Sequence, residues 1–254
     1  NYDGTMKEPS LLPTAFPNIL VNPNQGIAVG MASNIASFNL REICAATTAL
    51  LKDKNANLGE FIEGPDFSTG GFLLRNDEVM EKIFSTGTGS VKVRAKYNYD
   101  KKQNIIEITE IPYTTTIEAI IDKLTELIKG GKLRDLNDVR DETDKSGLKI
   151  TLELKRGVDA EKLMARLYKQ TPLEDSFSCN FNILINGEPK VMGVREILRH
   201  WIDFRTECIR RMLLFDIEKK EARLHLLEGL EKILLDIDKA IYIVRNTPED
   251  AMVV

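Results

Sequence analysis

The run from Gly26 to Met31 has the composition of a short apolar tip held between two glycines. It reads Gly-Ile-Ala-Val-Gly-Met, and the turn-forming pair Pro23-Asn24 precedes it. Glycine lets another backbone or a ligand approach closely, so the apolar residues between the glycines could act as a wedge. Taken alone, the same run favours a buried strand. Both interpretations stay open at this point.

Few other residues have types and spacings that suit catalysis or metal binding. His200 and His225 have no nearby cysteine or acidic arrangement that would make a ligand set. The acidic turn at 141–144 lacks the spacing of a calcium loop, and the glycine-rich segment 86–89 lacks the Lys-Ser/Thr of a phosphate loop. We therefore predict no metal site in this chain.

Basic and apolar residues alternate along one predicted strand. The basic ones are Lys92, Arg94 and Lys96, and the apolar ones are Val91, Val93 and Ala95. The alternation predicts a half-buried strand. Its basic face could contact a phosphate backbone through Lys92 and Arg94, although a solvated strand face is the favoured interpretation.

The composition limits the classes of protein to consider. The 254-residue chain has a net charge of −4, which argues against a dedicated nucleic-acid-binding module. No apolar run approaches the ~20 residues of a membrane span, and no signal peptide opens the chain. The scattered cysteines Cys44, Cys179 and Cys208 fit a reducing cytoplasm, where we expect them to be small buried hydrophobic residues.

Helix signals occur at several points between residues 39 and 193. Asn39 is predicted to cap a helix, with Glu42 three positions later at the capping-box spacing. Asp159 is predicted to cap another helix, and the glycines at 130–131 to end a third.

Strand signals lie between these helices. The strand at 91–95 is predicted to pair in a hairpin with residues 106–108, and Asn186-Gly187 to turn a second hairpin. Helix and strand signals together predict an α+β fold, in which helices pack on an antiparallel or mixed sheet.

From about Val194 the apolar spacing becomes that of a long helix. Its last part has the 3-4 spacing of a coiled-coil seam, at Leu227, Leu230, Leu234, Ile237, Ile241 and Val244. One or two helices here would extend roughly 75 Å at ~1.5 Å per residue. The alternative is a globular helix pair with a break near Gly229.

An ordered set of motifs identifies a family resemblance. Besides the run from Phe16 to Ile35, the motifs are Asn1-Tyr2-Asp3-Gly4-Thr5, Glu63-Gly64-Pro65-Asp66-Phe67, Thr109-Glu110-Ile111-Pro112-Tyr113, Arg140-Asp141-Glu142-Thr143-Asp144 and Leu167-Tyr168-Lys169-Gln170-Thr171-Pro172-Leu173. In this order and at these spacings the chain resembles the A subunit of bacterial type IIA DNA topoisomerases, the family of DNA gyrase and topoisomerase IV. The resemblance covers residues 1 to about 250.

The resemblance implies an enzyme that cuts both strands of one duplex, passes a second duplex through the break and reseals it. The family's nucleophile is a tyrosine in an Arg-Tyr-Thr context, upstream of Asn-Tyr-Asp-Gly. Tyr2 is therefore not the nucleophile, and we expect a fragment without a catalytic residue. The magnesium ion and ATP belong to the family's B subunit, so we expect no cofactor in this chain. Expected partners are double-stranded DNA, a second A subunit and the B subunit, in an A2B2 assembly on the chromosome in the cytoplasm, with no membrane.

The resemblance also implies a domain organisation. Residues 1–38 would hold the DNA wedge and the connection from a winged-helix domain. Residues 39–193 would form the α+β tower domain, and 194–254 the outgoing helix of a coiled-coil arm.

The wedge itself is assigned through the resemblance. In the family, the isoleucine at the position of Ile27 inserts between stacked bases and kinks the gate duplex. Asn24, Gln25, Gly26 and Ala28 would contact the DNA beside it. The role of the chain would then be mechanical, to bind and bend the duplex that other segments cut.

Two departures from the family pattern bear on this assignment. Thr88 stands where the family commonly has an arginine, which weakens a phosphate contact there. Residues 35–38 replace the Pro-Pro-His that is usual in gyrase, which favours a topoisomerase IV-type protein. The alternative from another class is a non-catalytic α+β and coiled-coil scaffold with no DNA role.

Overall fold

The computed structural model of the chain describes residues 2–247. The chain forms two compact units, of which the larger is Thr14–Ile202 and the smaller combines the described residues of Asn1–Pro13 and Asp203–Val254. The predicted α+β fold is confirmed, since helices pack against antiparallel sheets and a long helix follows them. The domain limits at residues 38 and 193 stay predictions. Within 2–247, no helix combines the length and the hydropathy that crossing a membrane requires.

The helices are α1 (Asn18–Val21), α2 (Leu40–Lys52), α3 (Asp77–Thr86), α4 (Ile117–Lys129), α5 (Ala160–Gln170), α6 (Val194–Leu235) and α7 (Ile237–Asn246). A 3₁₀ turn at Leu58–Glu60 follows α2. The strands are β1 (Asn24–Ala28), β2 (Met31–Ile35), β3 (Phe72–Leu74), β4 (Thr88–Arg94), β5 (Lys96–Asp100), β6 (Ile105–Glu110), β7 (Leu136–Asp141), β8 (Ile150–Leu154), β9 (Glu174–Asn180), β10 (Asn182–Ile185) and β11 (Glu188–Val191).

The first sheet of the larger unit has the strand order β1-β2-β9-β4-β3, with every pair antiparallel. Its centre is the pairing of β4 with β9, from Thr88 opposite Asn180 to Arg94 opposite Glu174. Alternate residues of a strand point to the same face. The buried residues of these two strands are Val91, Val93, Phe177 and Cys179. Together with apolar residues of α2 and α3, they form the first hydrophobic core.

The second sheet has the order β5-β6-β8-β7 and is also antiparallel. With α4 and α5 it encloses a second core, whose buried residues all lie between positions 95 and 173. The backbone N–H of Ala95 donates to the carbonyl oxygen of Leu173 at 2.7 Å. This sheet is therefore an insertion between β4 and β9 of the first sheet.

One predicted strand pairing is wrong. The sequence pattern pairs residues 91–95 with 106–108, whereas β6 pairs with β5. The reason is that β3 and β9 occupy both edges of β4. Ala95 is fully buried and connects β4 of the first sheet to β5 of the second. Its carbonyl oxygen accepts a hydrogen bond from the Tyr168 hydroxyl at 2.8 Å.

Most of the local signals at element ends are confirmed. Asn39 caps α2, because its Oδ1 accepts the N–H of Arg41 at 3.0 Å. Asp159 caps α5 in the same way. Asn186 and Gly187 have φ values of +52° and +87°, and they turn β10 into β11. These devices depend on residues close in sequence, which is why the sequence predicts them.

The prediction of a capping box at α2 is wrong, because the Glu42 carboxylate has another hydrogen-bond partner. Its Oε2 accepts the backbone N–H of Glu63 at 3.1 Å. Burial raises the pKa of Glu42, and this hydrogen bond opposes the rise. The carboxylate therefore ties α2 to the segment after the 3₁₀ turn, a contact that no local spacing reveals.

The smaller unit consists mainly of residues of α6 and α7. At ~1.5 Å per residue, the 42 residues of α6 extend over about 63 Å. The alternative break near Gly229 is wrong, because α6 continues to Leu235 and Asp236 then caps α7. The seam residues from Leu227 to Val244 are exposed, so no element of residues 2–247 covers them. Coiled-coil pairing stays a prediction.

Replacing Gly87 by alanine is expected to destabilise the larger unit strongly. Gly87 ends α3 at φ +72°, and an added Cβ would lie 2.1 Å from the carbonyl oxygen of Met192. The left-handed backbone and the clash together should lower the free energy of unfolding by about 3 kcal/mol or more. Urea denaturation measures the loss.

Gly131→Ala is the matched control for this change. Gly131 also has a positive φ, +69°, but a Cβ there would meet only the flexible end of the Arg134 side chain at 3.8 Å. Backbone strain alone should cost about 1–2 kcal/mol. Equal losses in the two glycine variants would contradict the clash.

Glu174→Gln is expected to destabilise the fold at neutral pH but not at acid pH. Glu174 accepts a hydrogen bond from Arg94 Nε and lies 3.5 Å from Lys92 Nζ. The Arg94 hydrogen bond is the main cause that lowers the pKa of Glu174 below its usual 4.5. A carboxylate with a depressed pKa stabilises the fold above its unfolded pKa, and this stabilisation is lost as the pH falls through its folded pKa.

The free energy of unfolding should fall by about 1–2 kcal/mol at neutral pH in Glu174→Gln. The difference from the unmodified chain should disappear as the pH falls through the depressed folded pKa of Glu174, because the wild-type carboxyl is then protonated. Lys92→Met is the control, since this lysine is largely exposed and should cost less than about 0.5 kcal/mol. A Glu174→Gln deficit that persists at acid pH would rule out the ionised carboxylate as its source.

Candidate nucleic-acid interface

Strands β1 and β2 form a hairpin at one edge of the five-stranded sheet. Their register runs from Asn24 opposite Ile35 to Ala28 opposite Met31, and the next two residues make the turn. The second of these is Gly30, with φ +79°, a conformation that residues with a side chain rarely adopt. The tight turn at the tip therefore requires this glycine.

The tip of the hairpin lies outside the hydrophobic core. Ile27 is 87% exposed, Val29 is fully exposed and Met31 is 45% exposed. All five residues of β1 are exposed. The interpretation of this run as a buried strand is therefore wrong, because it is a strand whose apolar side chains face solvent. Large apolar side chains grouped on a projecting element are typical of a surface that another molecule covers.

Ile27 stands between two small residues. In the strand alternation, Gln25 and Ile27 point to one face of the hairpin, and Asn24, Gly26 and Ala28 to the other. Ile27 is thus the only large apolar side chain of β1. The backbone on either side of it is unobstructed by bulky neighbours, which lets a flat partner approach closely.

A groove of about 440 Å³ separates this hairpin from the β10–β11 hairpin. Its lining includes Ile27, Ala28, Met31, Ile183, Leu184 and Pro189. The side chains around it are apolar or uncharged. A partner that enters beside Ile27 therefore meets no fixed charge from the described residues that line this groove.

The base of the hairpin is fixed to the sheet by few contacts. Ile35 is buried, and β2 pairs with β9 at one position, Asn34 opposite Asn180. Two side-chain amides add to this pairing: Asn34 Nδ2 donates to the Ser178 carbonyl at 2.6 Å, and Asn180 Nδ2 to the Ala32 carbonyl at 2.9 Å. No periodicity in the sequence marks the role of these asparagines, because they join residues more than 140 positions apart.

The structure does not bring Lys92 and Arg94 together with the hairpin. Thr88 is the residue of β4 opposite Asn180, and Lys92 lies four residues further along β4, about 13 Å away. Both basic residues pair with Glu174, and the Arg94 guanidinium lies 5.1 Å from the ring centre of Tyr168. Their contact with a phosphate backbone stays a prediction.

The described residues contain no obvious centre for covalent or metal chemistry. Burial raises the pKa of the Cys179 thiol to about 12, so this cysteine is a protonated thiol at neutral pH. Cys44 is exposed, which corrects the prediction that all three cysteines are buried, while Cys208 is buried as predicted. Within 2–247, no group of three or more His, Cys, Asp or Glu residues is placed to hold a metal ion.

Comparisons with known proteins agree with one another. The family model for the A subunit of DNA gyrase/topoisomerase IV matches residues 1–253. The gyrase A subunit of Borreliella burgdorferi is 42% identical over 253 residues, which is 97% of this chain and 31% of that protein. The gyrase A subunit of Halalkalibacterium halodurans is 40% identical, over 97% of this chain and 30% of its own length.

A plant relative gives the same result. The probable chloroplastic/mitochondrial gyrase A subunit of Oryza sativa subsp. japonica is 39% identical, over 99% of this chain and 28% of its own length. The chain thus spans less than a third of the length of these relatives, and the match extends over nearly all of its residues. It belongs to the family of DNA gyrase and topoisomerase IV A subunits.

Proposed function

We propose that this chain is the part of a type II topoisomerase A subunit that binds and bends the gate duplex. The observation that carries the proposal is the exposure of Ile27 at the end of a hairpin whose base is fixed to a sheet. A solvent-exposed isoleucine has no role in the core of the chain. Exposing an apolar side chain to water is unfavourable. The exposure of Ile27 is explained if DNA covers this side chain when the enzyme is assembled.

The bending step follows from the shape of the tip. Ile27 enters between two stacked bases, and the small residues Gly26 and Ala28 let the hairpin backbone approach the groove. Asn24 and Gln25 supply hydrogen-bonding side chains beside the opened step. Unstacking one base step costs on the order of a few kcal/mol. Burial of the apolar side chain and the additional contacts of the bent duplex offset that cost.

The remaining parts of the reaction are assigned to other segments and subunits. The nucleophilic tyrosine belongs to a segment with the Arg-Tyr-Thr sequence, which does not occur in residues 1–254. Magnesium and ATP would be held by the B subunit, and two A and two B subunits would form the enzyme on chromosomal DNA in the cytoplasm. The relatives named above are gyrase subunits, and they do not confirm the topoisomerase IV preference drawn from residues 35–38.

Ile27→Ala in the full-length protein, in complex with the B subunit, is expected to reduce DNA bending and slow DNA cleavage. Alanine is too short to fill an opened base step. Folding should be nearly unchanged, because the side chain is exposed. Energy transfer between dyes on the two ends of a short duplex measures the bend, and thermal melting measures stability.

Two variants control for this change. Leu51→Ala removes an exposed apolar side chain from α2 and should alter neither bending nor melting. Ile35→Ala removes the buried isoleucine at the base of the same hairpin and should lower stability by about 2–5 kcal/mol. A bend angle that is unchanged in Ile27→Ala would refute the wedge. A duplex that shows no salt-dependent gel shift with the full-length protein would favour a scaffold without a DNA role.

Residues 1–254 alone are expected to cleave no DNA when mixed with magnesium and the B subunit. Covalent catalysis needs a positioned and activated nucleophile, and Tyr2 is a fully exposed tyrosine outside the Arg-Tyr-Thr context. Denaturing gels with labelled DNA detect covalent adducts. Adducts that form with this chain and vanish in Tyr2→Phe would overturn the assignment of the nucleophile to another segment.

A further inference from the structure

The wedge hairpin has few backbone bonds to hold its direction. An isolated two-stranded hairpin is only marginally stable in water, and among the described strands β1 has no neighbour except β2. β2 pairs with β9 at the single position Asn34 opposite Asn180. Side-chain contacts must therefore fix the angle at which the tip leaves the sheet.

Asn180 makes the shorter of two side-chain contacts to the residue opposite Ile27. Its Nδ2 donates to the carbonyl oxygen of Ala32 at 2.9 Å. Ala32 is the residue directly opposite Ile27 in the hairpin register. The amide of Asn180 thus acts on the backbone pair that contains the wedge residue, two positions beyond the last backbone pairing of β2 with the sheet.

Asn180 is itself held firmly. It is the last residue of β9 and lies opposite Thr88 of β4 on one side and Asn34 of β2 on the other. The next residue, Phe181, is fully buried and donates its backbone N–H to the Gly87 carbonyl at 2.9 Å. The donor side of the contact is therefore part of the rigid sheet, and the acceptor side is the hairpin.

We infer that Asn180 is a positioning residue for the DNA wedge, and that its amide holds the hairpin at the angle from which Ile27 enters the base stack. This inference rests on the proposed bending function. Asn180 touches neither DNA nor reacting atoms in this role, because it acts through the Ala32 carbonyl. Asn182, whose Nδ2 lies 3.4 Å from the same carbonyl, makes a longer and weaker contact to it.

The test is Asn180→Asp in the full-length protein in complex with the B subunit. The carboxylate has the volume of the amide but cannot donate, and it faces a carbonyl oxygen. Loss of one such hydrogen bond should reduce the bent fraction of a dye-labelled duplex about fivefold, which corresponds to about 1 kcal/mol. The binding of unbent DNA should change much less.

Asn104→Asp is the matched control. Asn104 donates its Nδ2 to the Leu154 carbonyl at 2.8 Å and to the Lys155 carbonyl at 3.3 Å, just before β6 of the second sheet. It loses the same kind of bond by the same chemical change, and its left-handed φ of +57° is one that aspartate also tolerates. It should lower the melting temperature without changing the bend. A purely structural role for Asn180 predicts that both variants behave in this way.

The outcomes separate the two proposals. Reduced bending in Asn180→Asp, with normal bending in Asn104→Asp, supports the inference. Normal bending in Asn180→Asp, while Ile27→Ala loses bending, overturns the inference and leaves the proposed function intact. Normal bending in Ile27→Ala overturns both. If Asn180→Asp does not fold, Asn180→Ala takes its place, because it removes the same amide donor to the Ala32 carbonyl without adding a charge. It should reduce bending in the same direction, and normal bending in it would overturn the inference.

Discussion

The pairing of β4 with β9 is the constraint on which the larger unit depends. It joins Thr88–Arg94 to Glu174–Asn180 along their whole length, so the chain must close a loop of about 80 residues before the first sheet exists. The entropy of closing such a loop grows slowly with its length, but it has to be offset before the contacts form. Once β9 is in place, β2 can pair with its free edge. The buried side chains of β9 then join those of β4 in the core that packs against α2 and α3.

The sequence predicts the parts of the fold that short-range chemistry decides. Asn39, Asp159 and Asn186-Gly187 act within a few residues of themselves, and the structure confirms each of them. The predicted capping box of Glu42 is wrong because the carboxylate accepts the N–H of Glu63, which lies on another segment. β9 escapes detection because Phe177 and Cys179 are its only buried residues, and a strand with two apolar positions resembles a loop. The predicted partner of β4 is wrong because β6, the next strong strand signal in the sequence, pairs with β5, whereas the weakly marked β9 pairs with β4.

The candidate site shows a different limit of sequence reasoning. Apolar composition predicts burial, and the run around Ile27 is apolar. The structure places it in solvent, which supports the proposal that DNA covers it. Residue types alone cannot distinguish a side chain buried within the fold from one buried in a complex. The family resemblance supplied the distinction, and the exposure of Ile27 agrees with it.

The hydrogen bond between Ala95 and Leu173 has a consequence for the order of folding. The chain enters and leaves the second sheet at two adjacent residues, and the buried core of that sheet lies within residues 95–173. Formation of the second sheet alone would bring Ala95 beside Leu173. The long loop between β4 and β9 would then already be closed before these two strands pair.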